Sequence, residues 1–225
     1  MKIGVVDIGT NSVRLMIGNY EGEKLQSKEK QLYSTRIGQG VDHTGELSEA
    51  AMDRTVKALE SIRVQMEQLG VQKVYAYATS AVRQAKNKEV FLDRVKEKTG
   101  YEVKVLSGEE EAEYGFLGVM KSVALENGLI VDVGGGSTEL IEVQNRQRKR
   151  LVSLDIGAVR LYERCKVSDP MRKEEIRCVQ AEIERALRKW NRETEAKNLV
   201  AIGGTATTIA SMHLRLKEYD SQKIN

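Results

Sequence analysis

Two carboxylates, Asp132 and Glu139, bracket three glycines and two hydroxyl residues in the stretch LIVDVGGGSTELIE at 129–142. Leu129, Ile130 and Val131 read as a buried strand that ends by exposing Asp132, and Leu140, Ile141 and Val143 as the returning strand. Glycine lets backbone N–H groups come close to a ligand and adopt positive φ. Successive amides in such a turn form a nest that suits phosphate oxygens. Gly135, Ser137 and Thr138 are the candidate phosphate contacts. Asp132 and Glu139 are the candidate ligands of Mg²⁺, which favours carboxylate oxygens combined with substrate phosphates.

The opening of the chain repeats this stretch. VVDIGTNSVRLMI at 5–17 aligns without a gap to IVDVGGGSTELIE at 130–142. Both read apolar, Asp, apolar, Gly, two further residues and Ser. Asp7 then matches Asp132 as a metal candidate, and Asn11 and Ser12 join the phosphate candidates. Two copies of one motif predict two domains of the same design facing each other across a cleft.

The elements that would hold these residues alternate strand and helix. Residues 1–35 read as three strands in a meander, with Gly22 in a turn. Residues 48–69 carry Met52, Val56, Leu59, Ile62, Met66 and Leu69 at helical spacing behind the N-cap candidate Ser48. A strand over 74–78 runs into a polar turn that carries Arg83, suited either to forking onto phosphate or to a surface salt bridge. A helix is expected over 88–98, a strand over 102–106 and a helix over 109–124. In SGEEEA at 107–112, Ser107 and Glu110 fit a capping box, and acids suit a first helical turn. Strands follow the central turn, then a helix over 158–165 and another over 172–192. A strand over 199–202 leads into Gly203-Gly204-Thr205 and a helix to 216. Gly204 and Thr205, between strand and helix, are further phosphate candidates. Arg146, Arg148, Lys149 and Arg150 form a basic hairpin tip, either a solvated turn or a landing surface for a polyanion. The fold class expected is α/β, with mixed sheets flanked by helices. The division falls near 125–128, giving domains 1–124 and 125–225.

Composition narrows the chemistry. With 225 residues, 40% hydrophobic and 31% charged, the chain reads as globular, and its net charge of +3 does not argue for nucleic acid. No apolar run is long enough to span a membrane, and the N-terminus does not read as a signal peptide. Two histidines make a histidine-rich metal site improbable. Neither GxxxxGK[ST] nor GxSxG occurs. Cys165 and Cys178 fit no metal spacing and are expected to be reduced thiols of a cytoplasmic protein.

DIGTNSVRLMI, TSAVRQA, SGEEEAEYGFLGV, VDVGGGSTELIEV and AIGGTATTIA occur in that order. Together they resemble the exopolyphosphatase/guanosine pentaphosphate phosphohydrolase (Ppx/GppA) family of the actin/hexokinase/Hsp70-like superfamily. The resemblance implies two ribonuclease-H-like domains. It also implies Mg²⁺-dependent hydrolysis, with Mn²⁺ as a substitute, of the terminal phosphoanhydride of inorganic polyphosphate or of pppGpp, the latter a stringent-response nucleotide. Glu110 is then the catalytic base, Asp132 and Glu139 hold metal and water, and Arg83 contacts phosphate. A homodimer is compatible with this reading. The family pattern continues beyond Tyr219-Asp220, so the second domain is expected to be incomplete within these residues. Two alternatives use the same hairpins: an ATP-dependent kinase or chaperone of the superfamily, and a non-catalytic alarmone-binding homologue. The kinase or chaperone reading does not account for SGEEEA.

Overall fold

The computed structural model describes residues 1–21, 24–190, 194 and 196–224; Gly22 and the final positions of the helix expected over 172–192 lie outside them. The chain divides into two compact units, Met1–Ser107 and Gly108–Asn225.

The first unit opens on a meander of β1 (Lys2–Ile8), β2 (Val13–Glu21) and β3 (Lys24–Tyr33). It continues through α1 (Val41–Thr44), α2 (Glu49–Gln68), β4 (Lys73–Ala78), α3 (Ser80–Gln84), α4 (Lys88–Thr99) and β5 (Val103–Val105). The sheet order is β3-β2-β1-β4-β5, with β1, β4 and β5 parallel and the meander antiparallel. Ser48 caps α2 by accepting from the Ala51 amide at 3.3 Å. The expected stripe, Met52, Val56, Leu59, Ile62 and Met66, is buried with Val6, Ile8, Leu15 and Phe91 in one core. The turn expected after β4 is instead the short helix α3, which leaves Arg83 in its last turn.

The second unit comprises α5 (Gly108–Ser122), β6 (Gly128–Val133), β7 (Thr138–Gln144), β8 (Gln147–Leu154), α6 (Ala158–Arg164), α7 (Lys173–Leu187), β9 (Leu199–Ile202), α8 (Gly203–His213) and α9 (Ser221–Ile224). Its sheet runs β8-β7-β6-β9, with β9 parallel to β6. This repeats the β3-β2-β1-β4 order of the first unit, so the sequence repeat is a repeat of topology, the ribonuclease-H-like arrangement. Strand alternation gives the second sheet two apolar faces. Ile130 and Ile141 pack on Ala112, Phe116 and Val119 of α5, while Leu140 and Leu154 pack with Ile156 and Trp190. Because that stripe of α5 belongs to the second sheet, the units divide at Ser107/Gly108 rather than at 125–128.

The cysteine expectation is overturned. Cys165, at the C-cap of α6, is disulfide-bonded to Cys178 of α7, with Cα atoms 5.8 Å apart. Only the packing of the two helices brings these residues together; their spacing in sequence carries no such signal.

The start of α7 is held by a buried carboxylate. Glu175 accepts from the backbone amides of Arg172 (2.9 Å) and Ser168 (3.1 Å), from the Ser168 hydroxyl and from the Arg172 guanidinium. Those hydrogen bonds, the backbone ones foremost, pull its pKa down to about 2. A depressed carboxylate stabilises the fold above its unfolded pKa and loses that contribution as pH falls through the folded value. Glu175→Gln should therefore melt below the wild type at neutral pH, and the gap should close between about pH 4.5 and pH 2. Thermal melts across that range check this; a gap independent of pH would reject the role.

Candidate functional site

In the second unit β6 and β7 pair antiparallel with Asp132 opposite Glu139 and Val133 opposite Thr138. The Gly134 amide closes the turn on the Ser137 carbonyl at 3.0 Å. The first unit builds the same turn, with the Gly9 amide on the Ser12 carbonyl, also at 3.0 Å.

Each turn has its carbonyls tied back by a neighbouring segment. In the first unit Thr10 O accepts from the Gly38 amide and Asn11 O from the Arg36 amide, both at 2.9 Å. In the second, Gly134 O accepts from Ala158 N (2.9 Å) and Gly135 O from Val159 N (2.9 Å) and Arg160 N (3.1 Å). Gly136 O accepts from Arg160 Nε at 2.9 Å. A trans peptide points its N–H opposite to its C=O. Fixing these carbonyls therefore turns the following amides outward, as an anion nest requires. The tie-back needs close approach. A Cβ on Gly157 would lie 2.5 Å from the Gly135 carbonyl carbon, and one on Gly38 would lie 2.3 Å from the Thr10 methyl.

Alike in backbone, the two hairpins differ in chemistry. Opposite Asp7 stands Arg14, and the two form an ion pair at 3.9 Å. Opposite Asp132 stands a second carboxylate, Glu139. It is 2% exposed and accepts from the Ser153 hydroxyl at 2.8 Å. Burial, then the negative charges of Glu111 and Asp132, push its pKa up to about 8; the hydrogen bonds from Ser153 and Ser137 oppose the rise. Ser153 and Glu111 were not among the sequence candidates. Ser153 faces Glu139 through β7–β8 register, which a single strand pattern does not reveal. Glu111 sits beside Glu110 in the first turn of α5, where spacing alone does not separate them.

The remaining candidates divide by unit. Asp7, Asn11, Ser12 and Arg83 lie in the first, where Arg83 Nη1 donates to Leu106 O at 2.9 Å. Glu110, Asp132, Gly135, Ser137, Thr138, Glu139, Gly204 and Thr205 lie in the second. There the Thr138 hydroxyl donates to Ile156 O at 2.8 Å, and Ser137 is buried against Glu139. Both hydroxyls thus brace the hairpin, which makes the turn amides its outward donors. Gly203 has φ +87°, and a Cβ there would lie 2.3 Å from Asp132 Oδ1, so the start of α8 with Gly204 and Thr205 adjoins the acidic pair. Among the described residues no three acidic, histidine or cysteine side chains are gathered as a ready metal-ligand set. The basic hairpin tip is offset only in part: two carboxylates face its four cations, and Arg146 donates to Met120 O at 3.3 Å. Arg148 pairs with Glu113 at 3.1 Å, and Lys149 and Arg150 with Glu142 at 3.5 and 3.6 Å. Arg150 also stacks 3.5 Å over the Trp190 ring.

The ribonuclease-H-like topology thus occurs twice in the chain, each copy carrying a glycine-turn hairpin. Residues 21–225 match the model of the Ppx/GppA phosphatase family, and the chain belongs to that family. It is 34% identical over 240 aligned residues to "Exopolyphosphatase 2" of Mycobacterium tuberculosis, covering 100% of this chain and 74% of that protein. Among solved structures it is similar to a Ppx/GppA family member from Aquifex aeolicus (35% identity, TM-score 0.79, 100% of this chain and 73% of that one). It is also similar to an exopolyphosphatase from Cytophaga hutchinsonii (32% identity, TM-score 0.82, 97% and 72%). No described helix is long and apolar enough to cross a membrane.

The raised pKa of Glu139 has a thermodynamic sign. The native state holds its proton more tightly than the unfolded chain, so its contribution is complete below about pH 4.5 and lost as pH rises through about 8. Glu139→Gln imitates the protonated form. In metal-free buffer its melting temperature should gain on the wild type by several degrees as pH rises from about 5 to about 9. Parallel pH profiles for the two proteins would contradict the assignment.

Proposed function

We propose that this chain hydrolyses the terminal phosphoanhydride of inorganic polyphosphate, with pppGpp as the competing substrate. The observation that carries the reading is the pairing of the amide turn with two facing carboxylates, half-buried Asp132 and buried Glu139. The turn amides suit the oxygens of an anhydride-linked phosphate. The two carboxylates suit a divalent cation: Mg²⁺ typically takes one or two protein carboxylates and completes its shell with water and substrate phosphate. Asp132 and Glu139 would hold it, and when bound it offsets charge on the phosphate oxygens. The names of the relatives, exopolyphosphatases from two bacteria, support the substrate class.

The chemistry then needs a water activated for in-line attack on the terminal phosphorus. Its oxygen bonds to phosphorus, the bridging anhydride bond breaks, and the chain leaves one phosphate shorter. Glu111 takes the water's proton in this reading, one residue on from the Glu110 that the family resemblance indicated. Its negative charge is one of the causes that raise the pKa of Glu139. The first unit's turn, with Asn11 and Ser12, is a second phosphate-binding element, and Arg83 adds a cation there.

Phosphate release by the purified chain from polyphosphate, pppGpp and ATP, with Mg²⁺, Mn²⁺ or chelator, tests the reading. Release from polyphosphate or pppGpp that the chelator abolishes is expected, and turnover of ATP alone would point to a kinase-like member instead. Glu111→Gln should lose ~10²–10³ in kcat, and Glu110→Gln no more than about tenfold. A reversed order of these two losses would return the base to Glu110.

A further inference from the structure

The two glycine turns accept the same tie-back by different means. Asn11 and Gly136 are equivalent in the repeat, and in both units the carbonyl at this position is bound. In the first unit its partner is a main-chain amide, Arg36 N at 2.9 Å. In the second it is a side chain, Arg160 Nε at 2.9 Å and partly buried. The first two carbonyls of the second turn are held by amides of α6, so this third one alone depends on the identity of a side chain. The Gly136 carbonyl shares its peptide plane with the Ser137 amide. Holding that oxygen decides where the Ser137 N–H points.

We propose that Arg160 is a positioning residue for the glycine turn: its Nε–H, not its charge, sets the Ser137 peptide so that this amide joins those of Gly135 and Gly136 in binding phosphate. The inference rests on reading that turn as a phosphate site, and it goes beyond that reading by naming what holds the site open. Arg160 lies 23 residues beyond Ser137 in sequence, on α6, and no motif points to it. Its effect reaches phosphate through the Gly136–Ser137 peptide.

The side-chain chemistry permits a sharp test. Gln places a nitrogen donor the same number of bonds from Cα as Arg Nε, without charge. Lys keeps the charge but puts a methylene at that place. Arg160→Gln should therefore preserve the turn, and Arg160→Lys should fail with Arg160→Ala. Two readouts are compared on the full chain. The first is the ¹H–¹⁵N resonances of Gly135, Gly136 and Ser137 without ligand. In the Lys and Ala variants the Ser137 amide should move, while in the Gln variant it stays near its wild-type position. The second is affinity for tripolyphosphate together with KM and kcat. The Lys and Ala variants should lose about tenfold in affinity and raise KM by a similar factor, the scale of one charge-assisted hydrogen bond. The Gln variant should stay within about threefold.

Rescue by Lys with failure of Gln would show a charge role and overturn the proposal. Ligand-free Ser137 resonances that are alike in all four proteins would overturn it as well. A wild type that neither binds tripolyphosphate nor releases phosphate would count against the functional reading, while the ligand-free resonances would still decide whether Arg160 sets the turn.

Discussion

Peptide planarity governs this site. A turn of small residues can present its amides in many ways, and it becomes an anion site only when the opposite ends of those peptides are held. Here the holding groups come from outside the turn: the Arg36 and Gly38 amides in one unit, and the first turn of α6 in the other. The holding segments must lie almost in contact with the turn, which is why glycine stands at positions 38 and 157. A methyl group at either would push the segment away and release the carbonyls.

On this common frame the repeat has diverged chemically. Residues 14 and 139 occupy the same position, opposite the aspartate of their hairpin, yet one is arginine and the other glutamate. The first hairpin is therefore close to neutral in itself. The second sets buried Glu139 against half-buried Asp132, and the raised pKa of Glu139 records the cost of charging it there. A protein gains little stability from crowding carboxylates out of water. Under the proposed function a cation shared with the phosphate substrate would offset that cost. The repeat thus places the facing carboxylates in one unit while both keep the glycine turn.

Much of this was legible in the residues. Helix α2 followed from its stripe and its serine cap, and the β6–β7 hairpin from two apolar strands around a glycine turn. Asp132 and Glu139 were singled out because carboxylates beside a glycine turn are a specific combination. Other features were not legible, each for a physical reason. The stripe of α5 shows that the helix is buried but not which sheet buries it, so the division between units was misplaced. Cys165 and Cys178 carry no spacing signal, since helices α6 and α7 have to pack before the sulfurs meet. Ser137 and Thr138 looked like phosphate donors, yet their hydroxyls are spent on Glu139 and on the Ile156 carbonyl.

By itself the sequence determined the local conformations and the inventory of groups: two glycine turns, their aspartates, the acidic first turn of a helix, and the family to which the chain belongs. Those depend on residue type and near neighbours, and survive in a linear string. Tertiary structure alone decided which groups act on one another. Ser153 bonds Glu139 and Arg160 holds the Gly136 carbonyl, because strand register and helix packing bring distant residues within hydrogen-bond range, and the charge of Glu111 acts on Glu139. Hydrogen bonds and desolvation act only at that range. Their partners, and hence the protonation of Glu139 and the direction of the turn amides, belong to the folded chain.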